Sequence, residues 1–137
     1  MKKAIPFHLK SKEQINPYTS AIALPHGWMW NVPLQSRIGA GYVFDSNYID
    51  ENQAQKEVEE FLNEKVEVRK VIDFESGCFE KFWVNNCMAV GLASSFVEPL
   101  ESTSLYLTVT QLKLIPFYVN HMFTKNNFGY DQFNSMM

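Results

Sequence analysis

Most of the signatures that identify an enzyme at sight are missing from this sequence. It has only two cysteines, Cys78 and Cys87, with no further ligand pattern around them. That is too little for a disulfide framework or a zinc site, and it predicts reduced thiols. Its three histidines, His8, His26 and His121, are scattered and share no ligand spacing, so no metal site is expected. There is no Gly-x-Gly-x-x-Gly fingerprint, no Walker motif and no assembled Ser-His-Asp set, and Gly39-Ala40-Gly41 is too short to count. Positive charge is not in excess: 12 Lys and Arg stand against 15 Asp and Glu, for a net charge of −3. This predicts no nucleic-acid partner. No apolar run approaches the roughly 18 residues of a membrane span, and residues 1–7 lack the apolar core of a signal peptide. The expectation is a soluble cytoplasmic protein with no membrane partner. Internal repeats and low-complexity tracts are absent too.

What is present is enough to build a core. Of 137 residues, 46% are hydrophobic and 15% aromatic, which fits one domain or a piece of a larger one. Residues 1–18 carry Pro6 and Pro17 and read as a short apolar entry followed by a loop. Residues 19–24 are strand-like, and Pro25-His26-Gly27 turns the chain. In residues 28–32, Trp28, Trp30 and Val32 share one strand face. Pro33-Leu34-Gln35-Ser36 interrupts, and residues 37–44 resume the alternation with Ile38, Ala40, Tyr42 and Phe44 on one side. Gly39 and Gly41 fall on the other side, where glycine inside a strand marks a bulge or a close approach by another group. A hairpin is the simplest architecture for residues 28–44.

Asp50 is positioned to cap a helix over residues 51–64, with Ala54, Val58, Phe61 and Leu62 at helical spacing and acidic residues elsewhere. Residues 66–74 read as a strand, Glu75-Ser76-Gly77 as a turn, and residues 78–84 as the hairpin partner. Asn85-Asn86 then leads into a buried strand at residues 87–90. A second helix covers residues 100–115, with Pro116 ending or kinking it. Residues 124–137 form one more helical turn or fray. The order predicts an α+β fold, a largely antiparallel sheet with flanking helices.

Two stretches carry chemical information. In Phe96-Val97-Glu98-Pro99-Leu100-Glu101-Ser102-Thr103-Ser104, two carboxylates flank a proline and three hydroxyl residues open a helix. A helix start has unpaired N–H groups and a positive dipole end, which favour anions. An ordinary capped helix accounts for the same pattern. Trp28 and Trp30, on one strand face, can wall off a flat apolar space or a planar ring. They are equally explained as core aromatics. His26, beside Pro25 and Gly27, reads as a turn or surface residue.

At Gly27-Trp28-Met29-Trp30-Asn31-Val32-Pro33 the sequence resembles the flavin-dependent halogenases of the tryptophan halogenase type, whose signature there is Trp-x-Trp-x-Ile-Pro. Val32 is a mild departure. The similarity continues through Leu34-Gln35-Ser36-Arg37-Ile38-Gly39 and Gly41-Tyr42-Val43. It returns at Trp83, Asn86 and Cys87, and again at residues 96–103, so that it spans residues 4–115. The resemblance implies a slice of a flavin-monooxygenase-like, FAD/NAD(P)-binding fold. Residues 1–137 would form a single partial halogenase domain, with a substrate-side sheet and one helix at 19–90. A flavin- and halide-contacting loop and helix would follow at 91–115.

In that family FAD, reduced by a separate flavin reductase, works with oxygen to oxidise a halide to hypohalous acid. A catalytic lysine then passes an electrophilic halogen to an electron-rich aromatic such as tryptophan. By position, Glu101 matches the catalytic glutamate, a carboxylate suited to orient the halogenating species or accept the ring proton. Thr103 and Ser104 match the halide site, where backbone N–H groups face the anion; Ser104 stands where the tryptophan enzymes have Gly. Trp28 and Trp30 match the tryptophans beside the flavin that keep organic substrate away from it. Gly91, Leu92, Ala93 and Ser94 match a second FAD-contacting stretch.

The resemblance also implies what lies elsewhere. The family's nucleotide fingerprint and catalytic lysine fall upstream of this chain, and Lys2 and Lys3 do not match that lysine. The C-terminal helical region of the substrate pocket is missing as well. A complementary polypeptide carrying the fingerprint and the lysine is therefore an expected partner, besides the small aromatic substrate and the reductase. Two alternatives stand beside this reading: a flavin monooxygenase that hydroxylates, and a non-catalytic remnant or subunit of a split protein.

Overall fold

The computed structural model describes residues 1–11, 16–97, 100, 102–124 and 129–136. The chain forms two compact units, Met1–Glu75 and Ser76–Met137, and the α+β class read from the sequence holds in both.

The first unit is a five-stranded sheet with one helix. Its elements are β1 (Lys3–Lys10), β2 (Ser20–Leu24), β3 (Gly27–Pro33), β4 (Arg37–Phe44), α1 (Glu51–Leu62) and β5 (Ile72–Asp73). The strand order is β2-β3-β4-β1-β5, and every pairing is antiparallel. Alternation sorts the side chains onto two faces. Ile5, Phe7, Met29, Ile38, Ala40, Tyr42 and Phe44 form one core cluster with Ala54 and Val58 of α1. The opposite face carries a smaller cluster of Ala4, Trp28 and Val43, with Trp30, Ile72 and Phe74 against it.

The β3–β4 hairpin lies where the alternation places it. The entry segment does not: instead of a loop, residues 3–10 form a strand paired with β4 along its whole length. Proline masked this. Pro6 is tolerated because β5 pairs only with Lys3 and Ala4, so beyond them the outer side of β1 has no strand partner among the described residues. Helix α1 begins with a capping box, in which Asp50 and Gln53 each accept the other's backbone N–H. Phe61, assigned by spacing to the apolar face, is half exposed.

Residues 66–74 give only the two-residue β5. The physical reason lies at Val66, whose backbone is satisfied by α1 side chains. Its N–H donates to Glu59 Oε1 at 3.2 Å, and its carbonyl accepts from Gln55 Nε2 at 3.0 Å. A residue satisfied this way has no need of a neighbouring strand.

The second unit contains β6 (Gly77–Cys78), β7 (Trp83–Val84), β8 (Cys87–Met88), a 3₁₀ turn (Gly91–Ala93), β9 (Ser95–Phe96), α2 (Thr103–Thr124) and α3 (Gly129–Met136). The expected hairpin of 66–74 with 78–84 is not formed. β6 pairs with β9, and β7 pairs with β8 across the Asn85-Asn86 turn, where Asn85 takes a left-handed conformation. Cys87 is exposed, so residues 87–90 are not the buried strand their composition suggests.

Helix α2 runs through Pro116. Leu114 and Ile115 before the proline, and Tyr118 and Val119 after it, pack into one cluster with Phe82, Trp83 and Phe133. Contacts on both sides thus offset the lost backbone bond. The tail adds an eight-residue helix, and Phe133 stands edge-on to both Trp83 and Tyr118, at 5.7 and 5.6 Å. Asn134 accepts the Trp83 N–H and donates to the Trp83 carbonyl, each at 2.8 Å, standing in for a paired strand.

Candidate functional site

In the first unit the two tryptophans of β3 stand on one face with ring centroids 6.2 Å apart and planes at 60°, an edge-on arrangement. Their surroundings differ because the cross-strand rows differ. Trp28 lies in the row Ala23, Trp28, Val43, Ala4 and is buried in the cluster they help form. Trp30 lies in the row Ala21, Trp30, Gly41, Pro6, where neither strand beyond it offers a large side chain. Its indole is half-buried and lies across the bare backbone of Gly41. The glycine anomaly read from the sequence is therefore a close approach, and Trp30 is the approaching group.

In the second unit the stretch from Gly91 to Ser94 is a tight turn clasped by α2. Gly91 has φ +63, in the left-handed region that favours glycine. Its N–H donates to the side-chain carbonyl of Gln111 at 3.0 Å, and its own carbonyl accepts both the N–H and the hydroxyl of Ser94, at 2.9 and 2.7 Å. Gln111 Nε2 donates to Ser94 Oγ at 3.1 Å. Ser94 and Gln111 are buried, while Leu92 and Ala93 stand exposed at the tip. Sequence reasoning missed Gln111. The one available signal was an amide in a largely apolar helix, which must find partners if it is buried.

Helix α2 opens at Thr103 and Ser104, the two residues matched to a halide site. The first N–H groups of a helix have no partner inside it and meet the positive end of its dipole. Just before them Ser102 takes a left-handed conformation, and its carbonyl accepts from Leu105 and Tyr106 at 2.9 and 3.1 Å. Ser104 Oγ accepts the Val97 N–H at 3.4 Å, so this hydroxyl ties the preceding loop to the helix. Glu101, matched to the catalytic glutamate, lies outside the described residues, as do Glu98 and Pro99.

His26 has a partner that its sequence context did not reveal. Its Nδ1 lies 2.7 Å from Glu57 Oε2, and Glu57 Oε1 accepts the Tyr42 hydroxyl at 2.6 Å. Burial and this bond push the Tyr42 hydroxyl well above its ordinary value. Glu57 is pushed up by burial, yet the bonds from Tyr42 and His26 together outweigh that and hold it below the usual carboxylate range. Lys3 is ion-paired to Glu51, which raises its pKa, a pairing suited to structure. Among the described residues no group of three or more His, Cys, Asp or Glu side chains is arranged to hold a metal. No described helix is long and apolar enough to cross a membrane.

A family model described as "Tryptophan halogenase" matches residues 1–137. The chain is 37% identical over 107 residues to tryptophan 7-halogenase KtzQ of Kutzneria sp. (strain 744), covering 77% of this chain and 20% of that protein. It is 40% identical over 100 residues to tryptophan 7-halogenase RebH of Lentzea aerocolonigenes, covering 72% of this chain and 19% of that one. Among solved structures it is similar to Tar14, a tryptophan C-6 flavin-dependent halogenase (chlorinase) from taromycin biosynthesis. The TM-score there is 0.79 and the identity 35%, over 98% of this chain and 26% of that one. The chain spans about a fifth of the length of the curated relatives it matches.

Proposed function

This chain belongs to the tryptophan halogenase family, a family of flavin-dependent enzymes, and on that premise we propose that it supplies the flavin- and halide-contacting segment of a halogenase. The parent reaction is halogenation of an electron-rich aromatic such as tryptophan, dependent on FAD, oxygen and halide. The observation that carries the reading is the edge-on pair of Trp28 and Trp30, with Trp30 displayed across Gly41. A flat, half-buried indole suits one side of a planar ring. In the second unit, the exposed tip of the 91–94 turn suits backbone contact with a cofactor. Bound reduced FAD, delivered by a separate reductase, would activate oxygen, and oxygen would be the oxidant of the halide.

The chain's own residues have four tasks. Trp30, backed by the buried Trp28, keeps bulky organic substrate away from the flavin while halide passes. Leu92 and Ala93, at the exposed tip of the turn that Gly91 and the buried Ser94 close, contact the cofactor. The N–H groups of Thr103 and Ser104 seat the halide at the dipole end of α2. The Glu101 carboxylate takes the proton that the aromatic carbon loses as it gains halogen. The nucleotide fingerprint and the lysine are supplied from outside these 137 residues, and the cytoplasm, where reductase and reduced flavin are available, is the place of action.

The test is an assay of the chain together with polypeptides supplying the rest of a related halogenase, with reductase, FAD, oxygen and chloride or bromide. The expected product is a halogenated indole whose yield follows halide concentration. A hydroxylated product formed without halide would replace this reading with a monooxygenase.

A further inference from the structure

The two glycines of β4, Gly39 opposite Val32 and Gly41 opposite Trp30, are not equivalent. A Cβ added at Gly39 would meet only the Val32 carbonyl oxygen, at 3.9 Å, which is ordinary contact. A Cβ added at Gly41 would lie 2.1 Å from both Cη2 and Cζ2 of Trp30 and 2.8 Å from its Cε2. The ring therefore occupies the volume that any side chain at position 41 would fill. Trp30 and Gly41 are direct cross-strand partners, an arrangement in which an aromatic ring covers the backbone that glycine leaves bare. On the next strand Pro6 continues the row. On its flank stands Trp28, edge-on and buried.

We propose that Gly41 is a positioning residue: its bare backbone is the seat that holds the Trp30 indole flat against the sheet, with Trp28 as a fixed buttress beside it. Trp30 is then the ring presented outward, and Trp28 is the core residue that stops it turning. This rests on the reading of Trp30 as a flavin-side wall, and it adds that the position of the wall is set from the neighbouring strand. Any side chain at 41 lifts the ring, because the clashing atoms belong to a rigid bicycle with no soft torsion beyond χ2.

The experiment uses the full chain and two backgrounds. Glycine to alanine within a strand is ordinarily neutral or favourable, and Gly39→Ala is expected to leave the thermal midpoint unchanged or raise it. Gly41→Ala is expected to lower the midpoint by roughly 5–10 °C, through overpacking against the ring. In a Trp30→Val background, where no ring reaches position 41, Gly41→Ala is expected to cost nothing. An equal fall in both backgrounds would overturn the seat.

Circular dichroism supplies a readout that general destabilisation does not move. Two indoles this close give a coupled signal, identified by its loss in Trp30→Val. It should also be lost in Gly41→Ala at temperatures where that variant is folded, and be kept in Gly39→Ala. An undiminished couplet in Gly41→Ala would contradict the proposal. In the complemented enzyme, flavin quenching of tryptophan emission that is lost in Trp30→Val supports the flavin-side reading. Quenching indifferent to Trp30 would count against that reading alone and leave the seat standing.

Discussion

The side-chain carbonyl of Gln111 accepts the N–H of Gly91 at 3.0 Å, and the same amide donates to Ser94 Oγ at 3.1 Å. One buried side chain of α2 therefore closes both ends of the turn proposed to contact the cofactor. Gln111→Leu leaves the half-buried Gly91 N–H and the buried Ser94 Oγ without the Gln111 amide and is expected to cost about 1–3 kcal/mol, read from urea unfolding.

Gln111→Glu keeps the acceptor for Gly91 and loses the donor for Ser94, unless the carboxyl is protonated. Burial raises the folded-state pKa of such a group above its unfolded value. Its contribution is then fully present below the unfolded pKa and lost as pH rises through the folded one. The Gln111→Glu variant should approach wild-type stability in acid and fall away toward neutrality. A constant deficit across pH would show that Gln111 acts by shape alone.

Glu57 gives the opposite sign. Its folded pKa is depressed, by the Tyr42 and His26 bonds acting against burial. The stability it contributes is therefore fully present above the ordinary carboxylate value of about 4.3 and lost as pH falls through the lower folded value. Glu51 and Glu59 are also depressed, by bonds to Lys3 and Lys65, and titrate in the same window. The informative quantity is thus the difference between wild type and Tyr42→Phe. That variant should lose about 1.5–3 kcal/mol near neutral pH and lose less than wild type on acidification. Parallel pH profiles would contradict the network.

Capping offers a smaller, cleaner number. Asp50→Ala removes the acceptor for the Gln53 N–H and should cost about 1 kcal/mol in denaturant unfolding. No measurable change would mean that the capping box adds nothing to α1.

Helix α2 leaves apolar surface in the open. Leu105 and Leu112, two turns apart on one side, are 66% and 57% exposed, and Tyr106 and Phe117 are 71% and 56% exposed. Such a surface is expected to drive self-association of the isolated chain. Sedimentation should show it rising with concentration, and Leu105→Glu with Leu112→Glu should reduce it. A monomer at all concentrations would contradict this.

Legibility followed the range of the interactions. The β3–β4 hairpin and α1 were readable because Ile38, Ala40, Tyr42 and Phe44, or Ala54 and Val58, announce their faces at fixed local spacing. Strand β1 was not, because its partners lie 27 to 41 residues on, from Lys10↔Arg37 to Lys3↔Phe44, and Pro6 disguises it. Helix α2 passes Pro116 on the strength of contacts with Phe133, which no local pattern shows. At the proposed site, the motifs single out Trp28 and Trp30, but their division into a buried and a half-buried ring depends on Val43 and Gly41 across the hairpin. Gln111 and the Tyr42–Glu57–His26 set were invisible for the same reason: each joins residues 15 or more positions apart.

The most direct test is halide-dependent product formation by the chain with and without the complementing polypeptides of a related halogenase. No halogenation is expected from the chain alone. With the complement a halogenated aromatic is expected, with yield set by chloride or bromide and abolished by Glu101→Gln. Robust halogenation by the chain alone, or turnover indifferent to halide and to Glu101, would contradict this reading.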